Sequence, residues 1–495
     1  MKKNLIVVVG CLVALTLSGC TAGTTTTPVS PGEAGARVAS WLSEHGEPSW
    51  SDCPSEEVPE LDAEQYPELE GVETTCGTIA APIDWSRPAT SASVDLSIIR
   101  VSKGGSHDAV LMVNPGGPGA SARDMALGLA TVPDAAPLFR TYDLVGIEPR
   151  GLTPATDLGC DLEGSAADGE GAVEACSTAG PFATHASTTD VVMDHELLRQ
   201  ALDQPEFDYY GASYGTYIGS VYATLFPGTV GRMVLDGIAD TVSLNRTSDL
   251  PGFEASVGRL LEACTSGELG ACPFTGDRDE ASAQLTALFE ALTADPRTTT
   301  GPDGEPAEVG GEELASYLVT RMYEPRSSWR ETVEVLAGAA AGDPGSLEIV
   351  ASTGDSVVDR ALEYAVYCAV PPVPGATDAG AQPEETSGPL GSVDDEGGSA
   401  RDCDRWGEYD RLDPLLSYGT GNRILIVSNL HDPATPHADA LRLHETELTN
   451  STLVEVDEDG HGALYRESPC ATAIANAYLV SGVLPADGTR CESGS

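Results

Sequence analysis

A serine between two glycines, Gly211-Ala212-Ser213-Tyr214-Gly215, stands where a strand-like run, Phe207 to Tyr210, gives way to a helix-like stretch reaching Phe226. No other feature constrains the fold as much. A strand that turns at once into a helix has no room for side chains at the bend, so glycines flank it. The serine is then forced into a strained turn with its hydroxyl lifted above the sheet. The amide of Tyr214 is left free to donate. Strand and helix signals alternate around this junction: Val94 to Val101, Ala109 to Val113 and Tyr142 to Ile147 read as strands, Thr189 to Leu202 as a helix, and Arg232 to Leu235 as a strand. After a long interval Arg423 to Ser428 and Thr452 to Val456 resume the strand pattern. Such alternation predicts an α/β protein with a mostly parallel sheet covered on both faces.

Between about Ala239 and Asp404 the period becomes helical, in Glu254 to Ala263, Asp279 to Ala294, Gly311 to Tyr323 and Arg330 to Ala341, with few strand-like runs. Pro372 to Gly398, rich in Pro, Gly, Ala and acids, reads as a surface loop. A helical insertion between two consecutive strands accounts for this most simply; an independent second domain is the alternative. At the start, Lys2 and Lys3 precede an apolar run from Leu5 to Leu17, too short to span a bilayer and read as a signal-peptide core. Leu17-Ser18-Gly19-Cys20 after it resembles the bacterial lipobox, with Cys20 as the lipidated residue and a Thr/Pro-rich tether behind it. The expected organisation is a signal peptide over 1–19, a tether over 20–35, the core over 36–238, a helical lid over 239–404 and the rest of the core over 405–495. The chain is expected on the extracellular face of the bacterial cell membrane, held through a lipid anchor only.

Composition narrows the partners. A formal charge of −51 repels phosphate backbones, which excludes nucleic acid, and it excludes electrostatic docking on anionic lipid. Setting aside Cys11 and Cys20 leaves ten cysteines, an even number suited to an oxidising compartment. Nearest-neighbour spacing suggests Cys53–Cys76, Cys160–Cys176, Cys264–Cys272, Cys368–Cys403 and Cys470–Cys491. No spacing suits zinc, so disulfides rather than metal ligation are expected.

Asn114-Pro115-Gly116-Gly117-Pro118-Gly119 follows directly on the strand ending at Val113. Glycine-rich backbone there can aim an amide, that of Gly117, at a developing oxyanion alongside Tyr214. A nucleophilic serine needs a base, and the base an orienting acid. His45, His107, His185 and His195 precede the turn, with His195 expected on the surface of its helix; His431, His437 and His444 surround one helix start. His461 stands in a glycine-flanked loop, Asp459-Gly460-His461-Gly462, beyond the last strand, and Asp432 follows the strand ending at Ser428. The order Ser213, Asp432, His461 is that of the α/β-hydrolase fold.

These blocks resemble the secreted tripeptidyl aminopeptidases of actinobacteria, α/β-hydrolase serine peptidases related to proline iminopeptidases. The resemblance rests on Gly211 to Gly219, Arg232 to Gly237, Asn114 to Gly119, and the tail with Asp432-Pro433-Ala434-Thr435-Pro436, Gly460-His461-Gly462, Cys470, Leu484-Pro485 and Gly488-Thr489-Arg490-Cys491. It implies Ser213 as nucleophile, Asp432 as acid and His461 as base. It also implies a helical lid, no cofactor, and release of short peptides, tripeptides among them, from substrates with a free N-terminus. One departure touches substrate preference: where the family has Asp-Pro-Arg-Gly-x-Gly-x-Ser, this chain has Glu148-Pro149-Arg150-Gly151-Leu152-Thr153-Pro154. An exopeptidase must hold a free ammonium, most simply with lid carboxylates such as Glu254, Glu262, Glu313 or Glu324, among which the sequence does not choose. A carboxylesterase of the same fold and, more remotely, an inactive ligand-binding lipoprotein are the alternatives.

Overall fold

The computed structural model describes residues 30–494 apart from 55–65, 160–175, 178, 246–249, 303, 353–356, 373–387, 393–402, 404–405 and 407–412. Its strands are β1 (Ser49–Ser51), β2 (Val72–Pro82), β3 (Ser93–Lys103), β4 (Val110–Asn114), β5 (Asp143–Ile147), β6 (Phe207–Ala212), β7 (Val230–Asp236), β8 (Arg297–Thr300), β9 (Pro306–Val309), β10 (Ile424–His431), β11 (Ser451–Asp459) and β12 (Thr489–Cys491). Ten of them form one sheet in the order β1-β2-β3-β5-β4-β6-β7-β10-β11-β12. Pairing is antiparallel from β1 to β5 and parallel from β5 across to β12. Every residue of β4 and β5 is buried, as strands covered on both faces must be.

Among the described residues the α-helices longer than one turn are α1 (Pro31–His45), α2 (Ala122–Ala130), α3 (Thr188–Ala201), α4 (Tyr214–Leu225), α5 (Leu250–Thr265), α6 (Arg278–Ala294), α7 (Gly311–Met322), α8 (Trp329–Ala341), α9 (Val357–Tyr367), α10 (His437–Arg442) and α11 (Pro469–Ser481). Strands β7 and β10 are direct parallel neighbours, with Leu425 opposite Val234 and Val427 opposite Asp236. Helices α5 to α9 thus lie in an insertion between two adjacent strands. The insertion has a core of its own, built by Phe253, Leu260, Phe289, Leu318, Trp329 and Leu336 among others.

Several expectations are corrected. Helix α1 takes residues 31–35 out of the segment read as a tether: Pro31 suits the first helical turn, and Ala34, Val38 and Trp41 put one apolar face into the core. The lid holds the hairpin β8–β9, whose threonine-rich first strand favours extended backbone. His195 is buried, not on the surface. Its helix is buried nearly all round, and its ring stands edge-on to Phe207 and Tyr209. Disulfides join Cys53 to Cys76, Cys264 to Cys272, Cys368 to Cys403 and Cys470 to Cys491. Cys11, Cys20, Cys160 and most of the loop Pro372 to Gly398 lie outside the described residues.

Candidate active site

Ser213 sits between β6 and α4 at φ 54° and ψ −129°, a left-handed conformation that a non-glycine residue adopts only under constraint. Its amide donates to the carbonyl of Asp236 at 2.9 Å, and its own carbonyl accepts from the amide and hydroxyl of Thr216 at 2.8 and 2.6 Å. The flanking glycines are needed for close approach. A Cβ on Gly211 would fall 2.5 Å from the carbonyl oxygen of Gly215, and one on Gly215 would fall 2.5 Å from that of Asn114.

The loop after β4 presses on this turn. Gly116 stands at φ 104°, and a Cβ there would meet the Ala212 carbonyl oxygen at 2.6 Å, Ser213 Cβ at 2.8 Å and the Tyr214 nitrogen at 2.8 Å. The Gly116 amide is spent on Asn114 Oδ1 at 2.9 Å. The amides of Gly117 and Tyr214 donate to no group among the described residues. From the lid, the Tyr367 hydroxyl donates to the Gly117 carbonyl at 3.3 Å.

Asp432 and His461 meet at the carboxyl ends of β10 and β11. Nδ1 of His461 lies 2.9 Å from Asp432 Oδ1 and 3.1 Å from Oδ2. The carboxylate also accepts the amides of Ala434 (3.0 Å), Thr435 (2.8 Å) and Gly462 (3.0 Å), which fix its plane. A carboxylate only accepts, so Nδ1 carries the proton and Nε2 is left as the acceptor. Burial disfavours the imidazolium, yet Asp432 and the more remote Asp236 outweigh it, so the ring holds its proton to higher pH than an ordinary histidine. A Cβ on Gly237 would lie 3.3 Å from His461 Cε1 and 3.6 Å from Asp432 Oδ2. The preceding residue, Asp236, holds the Ser213 amide. The end of β7 therefore stands between the serine turn and the His–Asp pair.

Asp236 is the residue that sequence reasoning passed over. Its carboxylate accepts the amides of Ala463 (2.9 Å) and Leu464 (2.9 Å), directly after the histidine loop, while burial pushes its carboxyl above the usual range. One residue thus holds the serine turn through its carbonyl and the histidine loop through its side chain. The available signal was the one that found Asp432: an acid at the carboxyl end of a parallel strand.

The other predicted residues separate clearly. Glu262 pairs at the surface with Arg278 at 3.7 Å, and Glu313 caps the start of α7 by accepting the Gly310 amide at 2.7 Å. Glu254 accepts the Gly391 amide at 3.0 Å, and burial raises its carboxyl. Of the four lid acids, Glu324 adjoins the histidine loop, and it pairs with Arg466 at 3.0 Å. In the departed segment, Glu148 accepts from the Ser121 hydroxyl at 2.8 Å and the Arg123 amide at 3.0 Å. Arg150 is fully buried and forks onto Asp194 at 2.7 and 2.8 Å, a structural pair rather than a contact with the serine turn.

The fold and the ordered Ser–Asp–His arrangement define the class, that of the α/β hydrolases. Residues 109–296 match the family described as alpha/beta hydrolase fold, and residues 393–491 match that described as TAP-like protein. The chain is 28% identical over 458 residues to Carboxylesterase B of Mycobacterium tuberculosis, covering 84% of this chain and 86% of that one. It is 26% identical over 486 residues to Serine protease Hip1 of the same species (84% and 87%), and 25% identical over 461 residues to Tripeptidyl aminopeptidase of Streptomyces coelicolor (84% and 82%). The chain has the α/β-hydrolase fold, its C-terminal segment is similar to TAP-like proteins, and it is a serine hydrolase.

Proposed function

We propose that the chain is an exported, lipid-anchored serine aminopeptidase that releases short peptides, tripeptides among them, from peptide N-termini through an acyl-enzyme. The observation that carries this reading is the His461–Asp432 bond at 2.9 Å, in a loop tied through Asp236 to the turn bearing Ser213. In this reading Nε2 of His461 takes the Ser213 proton as Oγ attacks the scissile carbonyl. The amides of Gly117 and Tyr214 meet the oxyanion, each such donor being worth ~3–4 kcal/mol in comparable sites. His461 passes the proton to the leaving amine; water, deprotonated by the same ring, then hydrolyses the ester to free Ser213. Asp432 holds the tautomer throughout. No step calls for a cofactor.

The insertion over the carboxyl ends of the strands favours short substrates entering by one end, and two of the relatives above are named as a protease and a tripeptidyl aminopeptidase. Leu17-Ser18-Gly19-Cys20 supports export and anchoring at Cys20. A carboxylesterase is the second reading, since the same three residues cleave esters and another relative bears that name. Free and N-acetylated Ala-Ala-Phe anilides separate the two. If a buried carboxylate holds the substrate ammonium, acetylation lowers kcat/KM by roughly 30-fold or more, the equivalent of ~2 kcal/mol. Equal kcat/KM for both, with brisk turnover of p-nitrophenyl butyrate, would hand the case to the esterase.

A further inference from the structure

Two polar straps join the lid to the loop that carries His461. In the first, the buried carboxylate of Asp459, the last residue of β11, receives Arg259 of α5 at 2.6 Å and Arg326 of the turn between α7 and α8 at 3.1 Å. In the second, Nη1 of Arg466 donates both to the Tyr323 carbonyl (3.0 Å) and to the His461 carbonyl (2.7 Å), while Nη2 pairs with Glu324 (3.0 Å). The His461 amide donates to the same Tyr323 carbonyl at 3.0 Å, and the Tyr323 ring stands edge-on to the imidazole with centroids 5.3 Å apart. Gly460, at φ 98°, lets the two backbones approach so closely that a Cβ there would fall 2.8 Å from the Glu324 carbonyl oxygen.

An exposed ion pair joins two mobile side chains and contributes ~0–1 kcal/mol. Arg466 does something different. Its planar guanidinium spans two backbone carbonyls from distant parts of the chain, one of them the histidine's own, and a lid carboxylate closes the fork. The geometry points to Arg466 as a positioning residue for acyl transfer: it locks the His461 backbone to the lid turn at Tyr323 and Glu324, so that the histidine loop is in place only when the lid is seated. This rests on the reading of His461 as the base, and is independent of whether the substrate is a peptide or an ester. It also withdraws Glu324 from the acids able to meet a substrate ammonium, because its carboxylate is already held.

Arg466→Ala, Arg466→Lys and Glu324→Gln test the strap on two substrates, p-nitrophenyl butyrate, which has no amine, and a free Ala-Ala-Phe anilide. The expected result for Arg466→Ala is a fall in kcat of about 10- to 100-fold on both, the scale of a slightly misplaced catalytic group, with KM little changed. The acid limb of the pH profile should move to higher pH. The charged groups facing the imidazole are Asp432 and Asp236, which favour its proton, and Arg466, which opposes it; the Tyr323 ring covers one edge. Arg466→Lys should return the limb to its place and restore part of kcat, since an ammonium cannot span both carbonyls and Glu324. Glu324→Gln should lower kcat on both substrates by a smaller factor, and it keeps the test open should Arg466→Ala fail to fold. Unchanged kcat and an unmoved limb in the Arg466 variants would overturn the strap. So would a Glu324→Gln effect confined to KM for the peptide, which would make Glu324 an amine ligand. Because the ester arm needs no amine, the strap is decided there even if the peptide reading fails.

Discussion

Asp236 offers a sharp test of how the site is held. Asp236→Ala removes the acceptor for the amides of Ala463 and Leu464, both now bonded at 2.9 Å within buried structure. Leaving a buried donor unmet costs ~1–3 kcal/mol, so the two together set a range of ~2–6 kcal/mol. An opposing effect trims this. Burial raises the carboxyl of Asp236 in the fold, so its stabilising contribution is fully present below the unfolded pKa and declines as pH rises through the folded one. Near neutrality its ionisation carries a cost that the alanine variant escapes, and the net loss should lie toward the low end, ~2–3 kcal/mol. The gap between wild type and Asp236→Ala should widen in acid and narrow as pH rises. Asp236→Asn keeps an acceptor of the same shape, and should lose under ~1.5 kcal/mol. Both variants remove a negative charge that favours the His461 imidazolium, so the acid limb of kcat/KM should move to lower pH. Urea midpoints at two pH values and a kcat/KM profile on p-nitrophenyl butyrate read all of this. An alanine variant with the wild-type midpoint, or an asparagine variant whose limb stays put, would refute the reasoning.

Ser213→Ala should remove turnover by ~10⁴–10⁶ while leaving the unfolding midpoint intact; retention of a tenth of the ester activity would exclude Ser213 as nucleophile. Gly116→Ala should place a methyl 2.6 Å from the Ala212 carbonyl oxygen and 2.8 Å from the Tyr214 nitrogen, at φ 104°. It should cost about 100-fold in kcat with near-wild-type circular dichroism, and full activity would show that this loop and the serine turn are not in contact. Arg150→Ala should leave Asp194 buried without its partner and lower stability by ~3–5 kcal/mol in urea titration; a loss confined to KM would place Arg150 in the substrate site instead.

The sequence speaks most clearly where local chemistry has one solution. Ser213 at φ 54° between Gly211 and Gly215 follows from a strand running straight into a helix, and the apolar runs Val110 to Val113, Leu144 to Ile147 and Ile424 to Val427 admit little but buried strands. It is mute where polarity misleads. Helix α3 carries Thr188, Asp190, Asp194, His195 and Glu196, a set that reads as solvent-facing, and all are buried. Arg150, 44 residues away, holds Asp194, a partner that spacing along the chain cannot announce, while Glu196 is held by Arg199 one turn along the same helix. His195, with burial lowering its pKa to about 4, is a neutral packing residue for the same reason. Asp236 escaped notice because its two amide donors lie 227 and 228 residues away. The hairpin β8–β9 escaped because two four-residue strands carry too few positions to show a period.

The adjacency of β7 and β10 has a consequence for descent. These strands would be hydrogen-bonded neighbours whatever joined them, so the sheet keeps no record of the segment between Asp236 and Ile424. The part of that segment with a core of its own can lengthen or shrink without shifting one rung of the ladder. The serine turn and the acid stand on opposite sides of the seam and stay in register. Chains of this architecture can therefore differ in what they accept while their bond-breaking residues stay fixed. Any replacement segment meets one inherited demand: it must present groups that dock on Asp459 and Arg466, and that docking code, rather than the sheet, limits which caps this scaffold can wear.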